Sequence, residues 1–330
     1  MPLKNEDIEF IGQALFDKKY TVAEVIEQHP DLELPFIFAR EGYEVTHGTS
    51  QMDWMIGTDE RDIMYGYGGN DSLLGNEGND RLHGGDGNDR IDGGDGRDSA
   101  FGDAGDDRIF GGNGDDTLYG GSGQHGVASG NDRIDGGNGS DFIDGEDGDD
   151  YLIGGTGEDT VLGGDGNDII YGDDETPSSA TFGVSLDDSL SGGAGDDQIF
   201  GGGGDDTING GEGEDVIQGG HGDDELWGDG QGSEEIPEPA RSADRFVYTE
   251  NNWGDDTIHD FDDGLDVIDF SQHAGIAGMT DFTLSQNASN DAVITYTHSY
   301  PGPTGNAPPT STITLVGIDI ADVDTSDFLF

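Results

Sequence analysis

Between Gly48 and Val247 one apolar side chain returns every ninth residue, apart from three interruptions, and glycine, acidic and amide residues fill the places between. Residues 75–83 and 84–92 read GNEGNDRLH and GGDGNDRID, so with glycine in first place aspartate holds the sixth and an aliphatic residue the eighth. Nineteen such units follow one another. The sixth place is aspartate in all of them, from Asp53 to Asp244, and the eighth is apolar in all of them, from Met55 to Phe246, with Ala100 the smallest. A merely acidic, glycine-rich tract would not keep that phase, so a stacked repeat architecture is expected. Units 120–135, 172–191 and 228–247 carry seven, eleven and eleven extra residues, polar or rich in Pro and Ser. These read as loops extruded from the stack without disturbing its period.

Within a unit, the last three residues, such as RID at 90–92, are long enough for a minimal strand with its middle side chain facing inward. The six before them predict a tight turn, because glycines at alternate places tolerate positive φ and let carbonyls point to one side. One apolar residue per turn is then the whole core contribution of that unit.

The flanks are patterned differently. In residues 1–47, Asn5 or Glu6 opens a predicted helix with Ile8, Ile11 and Leu15 on one face, and TVAE at 21–24 has capping-box spacing ahead of Val25 and Ile26. Pro30 and Pro35 break that pattern, leaving a small helical cap with LPFIFA (34–39) as its apolar contact with the first coil. In residues 248–330, VIDF (267–270), AVITYTHS (292–299) and STITLVGI (311–318) predict short strands. PGPTGNAPPT (301–310) is the loop between the last two, and the region closes the far end of the stack.

Composition sharpens this picture. Only 31% of the 330 residues are hydrophobic, and 52 of the 61 glycines lie in 48–247. Acidic residues number 73 against 12 basic ones, a formal net charge of −61, which excludes nucleic acid and anionic membranes as partners. Cysteine is absent, so no disulfide framework reinforces the thin core. The opening MPLKNEDIEF lacks the basic and apolar regions of a Sec leader, and no apolar run is long enough to span a bilayer. Export without such a leader, and no membrane insertion, are the expectations.

The repeat block alone holds 49 acidic and 8 basic residues. Stacked coils lie about 4.8 Å apart, so each sixth-place aspartate meets like charges above and below, and a cation must lie between them. Carboxylates with backbone carbonyls suit Ca²⁺, whose flexible oxygen coordination is more readily met than that of Mg²⁺. Zinc is disfavoured, since the eight histidines are scattered singly.

With Gly, Asp and an aliphatic residue at these places, the chain resembles the RTX, or haemolysin-type, calcium-binding repeat family over about 200 residues. The resemblance implies an all-β fold, a parallel β-roll or calcium-binding β-solenoid over 48–247, between the helical N-terminal cap (1–47) and the β-rich C-terminal cap (248–330). It further implies two units per coil, with ions held between stacked turns. Carried onto this sequence, the ligands are Asp71, Asp80, Asp89, Asp98, Asp107, Asp116, Asp132, Asp141, Asp150, Asp159, Asp168, Asp197, Asp206, Asp215 and Asp224, each with glycine two residues before it. GTSQMD (48–53), GTDERD (57–62) and the approaches to Asp188 and Asp244 lack that glycine, and are expected to keep the strand and lose an ion.

The terminal DFLF (327–330) resembles the uncleaved signal of proteins exported by type I secretion, and DFDDGLDVIDFS (260–271) resembles the segment after the repeats in serralysin-type C-terminal domains. As plain packing, Phe328, Leu329 and Phe330 end a strand against the cap, and the two readings are compatible. Unloaded, the block has the composition of a disordered chain, and is expected to fold when extracellular calcium offsets the ordering entropy.

Searches for enzyme signatures return nothing: HExxH, GxSxG and a phosphate-binding loop are absent. Paired carboxylates such as Asp106 and Asp107 recur in about half of the units, which suits ligands or solvated turns better than a hydrolytic dyad. Ninth-place aromatics (Phe101, Phe110, Tyr119, Tyr171, Phe200, Trp227) fit ladder packing along one edge, with a sugar-stacking surface as the alternative. Two functional classes follow. One is a secreted, non-catalytic calcium-binding protein of a matrix, cell surface or adhesion layer, with the type I machinery and polysaccharide or cell surfaces as partners. The other is a calcium-dependent module attached to a secreted protease, lipase or alginate epimerase.

Overall fold

A computed structural model describes residues 36–39, 45–123, 129–173, 186–229, 242–249, 253–298 and 310–330. Most repeat strands start at the seventh place and run through the first three places of the following unit, as in Arg90–Asp95 and Arg108–Asn113, while a few, such as Thr117–Tyr119 ahead of an interruption, stop at the ninth. The longer ones are therefore twice the length expected from the last three residues alone. Each turn shrinks correspondingly to the fourth, fifth and sixth places. The first-place glycine is skipped in the pairing, as Gly93 is between Asp92↔Phe110 and Gly94↔Gly112, so the chain bends there before it turns.

Successive strands go to opposite sheets, and every second strand pairs in parallel, as Ile91 does with Leu73 on one side and Ile109 on the other. Among the described residues this builds a sheet of 13 strands facing one of 14. Two units thus make one coil of a parallel β-roll. Eighth-place side chains from both sheets fill the space between as two columns, and every one of them, Met55 through Phe246, is at most 2% exposed.

Across the three interruptions the register holds. Ile109 pairs with Ile134, Val161 with Leu190 and Ile217 with Phe246, so the extra residues leave the stack without shifting it. Ninth-place rings stack on each other: His47, Tyr65, His83, Phe101 and Tyr119 form a column with centroids 5.8, 4.9, 4.4 and 5.1 Å apart. Their faces are covered by neighbouring rings, which is ladder packing rather than an open sugar platform.

Both ends differ from the sequence-based picture. Helices predicted within 5–29 lie outside the described residues, and where 1–47 is described it is strand. Phe36–Phe38 pairs in parallel with Trp54–Ile56, and Thr46–His47 with Met64–Tyr65, so the sheets begin before Gly48. LPFIFA contributes the first strand of a sheet, because a short β-branched and aromatic run meets an unpaired parallel edge. At the other end the nonapeptide loses its first glycine, yet the parallel sheets continue. Asp255–Ile258 and Val267–Asp269 add one strand to each. One sheet then ends on Phe328–Leu329. The other ends on Thr310–Leu315, Ala292–Thr297 and Phe282–Gln286, the last two antiparallel.

Candidate metal centre

All nineteen sixth-place aspartates are buried, none more than 4% exposed. Each sits where the turn re-enters the strand, and from Asp71 onward its Oδ1 accepts the backbone N–H of the sixth-place aspartate one coil earlier: Asp71 N to Asp89 Oδ1 at 2.7 Å, and Asp107 N to Asp132 Oδ1 at 2.7 Å. This ladder of carboxylates runs beside the strand pairing and uses one oxygen of each.

The other oxygen is left over. In all fifteen aspartates assigned as ligands, from Asp71 to Asp224, Oδ2 is buried and has no hydrogen-bond partner among the described residues. It faces the first-place glycine of its own unit. A Cβ placed on Gly136 would stand 2.5 Å from Asp141 Oδ2 and 2.5 Å from the Gly154 carbonyl oxygen of the next coil. The missing side chain therefore opens a cradle in which a carboxylate oxygen and a carbonyl oxygen converge. A fourth-place glycine such as Gly96, at φ 147°, is needed for a different reason: an L side chain rarely adopts that conformation.

Electrostatics follow from this placement. Burial pushes Asp71 up to about 6, Asp141 to about 7 and Asp107 to about 9; the backbone N–H opposes the rise, and neighbouring carboxylates add to it. A buried carboxylate oxygen without a partner is costly unless it is protonated or meets a cation. Among the described residues no three His, Asp or Glu side chains converge on one point, so backbone carbonyls have to complete any coordination shell. Carboxylate plus carbonyl is the donor set of a hard, oxygen-preferring ion, and the cradle fits calcium.

Four turns were set aside for want of a fourth-place glycine, and they divide. Asp53 Oδ2 accepts Thr49 N–H at 2.6 Å and Thr49 Oγ1 at 2.8 Å; Asp62 Oδ2 accepts the same groups of Thr58 at 2.6 and 2.9 Å. Asp188 and Asp244 instead each have a buried Oδ2 that faces the first-place glycine and has no partner among the described residues.

Two further aspartates escaped the nonapeptide register. GDDTIH (254–259) and GLDVID (264–269) keep glycine at the fourth place, aspartate at the sixth and isoleucine at the eighth, and only the first glycine is lost. That half-motif was the available signal. Asp256 and Asp266 extend the ladder, accepting Asp224 N–H at 3.2 Å and Asp244 N–H at 3.0 Å. Asp266 Oδ2 accepts Asp262 N–H at 2.7 Å, and the buried Tyr248 hydroxyl lies beside Asp256.

A two-sheet roll whose turns from Asp71 onward offer a buried carboxylate oxygen beside a first-place glycine, most of them facing a carbonyl of the next coil, defines a calcium-binding β-roll module. The family comparison agrees, matching the RTX calcium-binding nonapeptide repeat at residues 47–81, 65–100, 92–124, 128–161, 144–175, 182–217 and 201–232. Together these matches cover more than half of the chain, and the chain belongs to that family. No curated protein matches it. Among solved structures it is similar to a subunit of the Azotobacter vinelandii mannuronan C5-epimerase solved in solution, with 27% identity over 48% of this chain and 86% of that one and a TM-score of 0.32. It is also similar to an extracellular lipase of Serratia marcescens, with 20% identity over 71% of this chain and 40% of that one and a TM-score of 0.28.

Proposed function

We propose that this chain is a secreted, non-catalytic repeat protein whose roll folds on extracellular calcium and serves as a rigid matrix, surface or adhesion component. The observation that carries the reading is the row of buried Oδ2 atoms without partners, one per turn from Asp71 to Asp224. A polyanion of net charge −61 that buries these atoms needs cations to become compact. Bound calcium supplies two positive charges and accepts about six to eight oxygens, more than one cradle contributes by itself.

The chain's own residues do the rest. From Asp71 onward, Oδ1 of each sixth-place aspartate ties its coil to the preceding one, and Oδ2 is thereby aimed at the cradle. First-place glycines leave room for the ion, and the next coil's carbonyl lines it. Eighth-place side chains keep water out of the interior. In support of a non-catalytic role, these acidic side chains are committed to the ladder, and His83 is held between Tyr65 and Phe101 in the ring column.

The test is a calorimetric calcium titration with a far-UV spectrum recorded at each point. The calcium-free chain at neutral pH should lack the β signal, gain it cooperatively over several bound ions, and lose it on adding EGTA. A chain already compact in excess chelator at neutral pH would overturn the reading.

A further inference from the structure

The four irregular turns show what distinguishes a turn that offers an oxygen from one that does not. In the first coil the second-place residues are Thr49 and Thr58, and neither has a positive φ, in keeping with the reluctance of a β-branched side chain to enter the left-handed region. With the backbone held that way, both the N–H and the hydroxyl of each threonine point at the Oδ2 of its own turn, at 2.6–2.9 Å. Two donors on one oxygen satisfy it without a cation. In the next two units the second-place residue is left-handed, with φ 76° at Tyr67 and 80° at Asn76, and the Oδ2 atoms of Asp71 and Asp80 are left without a partner.

At the other two irregular turns the loss of the fourth-place glycine changes little. Leu186 stands in that place before Asp188, and its carbonyl still lies against Gly204 of the next coil, as a glycine carbonyl does in the regular units. Asp188 Oδ1 accepts Asp159 N–H at 2.8 Å, and its Oδ2 faces Gly172, where the Gly201 carbonyl oxygen would be 2.6 Å from a Cβ. Asp244 Oδ1 accepts Asp215 N–H at 3.0 Å, and its Oδ2 faces Gly228. There the Asp260 carboxylate accepts the N–H of Gly228 at 2.8 Å and of Asp229 at 3.0 Å, so a second carboxylate borders the same turn. Both aspartates are at most 3% exposed.

We propose that whatever meets the second carboxylate oxygen, and not the fourth-place glycine, decides which turns take calcium: Asp188 and Asp244 hold it, whereas Asp53 and Asp62 do not, because Thr49 and Thr58 stand in for the cation. The assignment rests on the calcium-loaded roll proposed above and adds its extent. The first coil closes with protein donors alone, and the ion column starts at Asp71 and continues through both of these loop-bearing turns.

The experiment measures calcium bound per chain by equilibrium dialysis and elemental analysis at saturating calcium, on the full-length chain and four variants whose folding is checked by far-UV circular dichroism. Asp188→Asn and Asp244→Asn should each lose about one ion per chain. Asp62→Asn should bind as much as the parent. Thr58→Gly, which removes the hydroxyl and permits positive φ, should gain about one ion per chain. A parent chain that binds no calcium overturns the proposed function and this assignment together. A parent that binds calcium, with Asp62→Asn losing as much as Asp188→Asn or a folded Thr58→Gly gaining nothing, overturns this assignment alone. Should an asparagine variant fail to fold, Thr58→Gly still decides.

Discussion

The roll and the region that closes it after Val247 bury their interiors by different means. In the roll each strand sends one eighth-place apolar side chain inward, and every turn also buries a carboxylate. Around Trp253 the interior is a cluster of rings: Phe270 lies 5.4 Å from Tyr248 and 4.9 Å from Phe282, and Trp253 lies 5.5 Å from Tyr296. Apolar burial alone drives such a cluster together. One aliphatic side chain for nine ordered residues cannot do the same, and the buried carboxylates work against it. The ring cluster of the cap is completed by its own side chains, while the roll, on the function proposed above, needs a ligand.

Protons should substitute for that ligand, with the largest effect of all. Burial lifts Asp141 to about 7, Asp150 to about 8 and Asp188 to about 9, against 3.8 in the unfolded chain. Because the folded values lie above the unfolded ones, the calcium-free roll takes up protons as it folds. That stabilisation is fully present below about pH 4 and is lost as pH rises through the 6 to 9 range. In excess chelator, lowering the pH from 9 to 4 should restore the β signal by circular dichroism. With calcium present the dependence reverses at the acid end, since protons displace the ions. A chelated chain whose spectrum does not change over this range would erase the contrast between roll and cap.

Next in size, Phe270→Ala should cost about 3–5 kcal/mol in the calcium-loaded protein through the cavity it leaves, read by denaturant titration. Its calcium midpoint should stay that of the parent. Gly111→Ala should do the opposite: a Cβ there stands 2.5 Å from Asp116 Oδ2 and from the Gly136 carbonyl oxygen, so the calcium midpoint should rise several-fold while saturating calcium restores most of the fold. If both variants shifted the midpoint alike, roll and cap would be one cooperative unit with a shared dependence on the ion. The smallest effect belongs to Arg97→Ala. Its pair with Asp115, at 2.8 Å, is exposed on the turn surface, and its loss should cost about 0.2–1 kcal/mol by the same titration.

Much of this was legible in the residues. The constant phase of Asp at the sixth place and an apolar residue at the eighth gave the stack and the buried column, because a parallel stack repeats the same environment at every turn, and the family resemblance implied two units per coil. The strand runs at 267–270, 292–299 and 311–318 were likewise readable from β-branched alternation. Less legible was the strand Phe36–Phe38, which owes its conformation to the edge offered by Trp54–Ile56, far along the chain. Nor did the nonapeptide count find Asp256 and Asp266, whose units lack the first glycine although the ladder continues through them.

The sequence by itself determined that this chain is a stack of repeats, that sixth-place carboxylates line its turns and that its charge demands cations, since those properties belong to each unit and repeat with it; the roll was implied by the family resemblance those repeats carry. Only the tertiary structure decided what each carboxylate faces. Asp62 and Asp188 look equally irregular as sequence, yet Thr58 closes on one and no donor among the described residues closes on the other. The reason is geometric: the direction of a backbone N–H depends on φ at one residue, and the contents of a cradle depend on a neighbour at least 18 residues away.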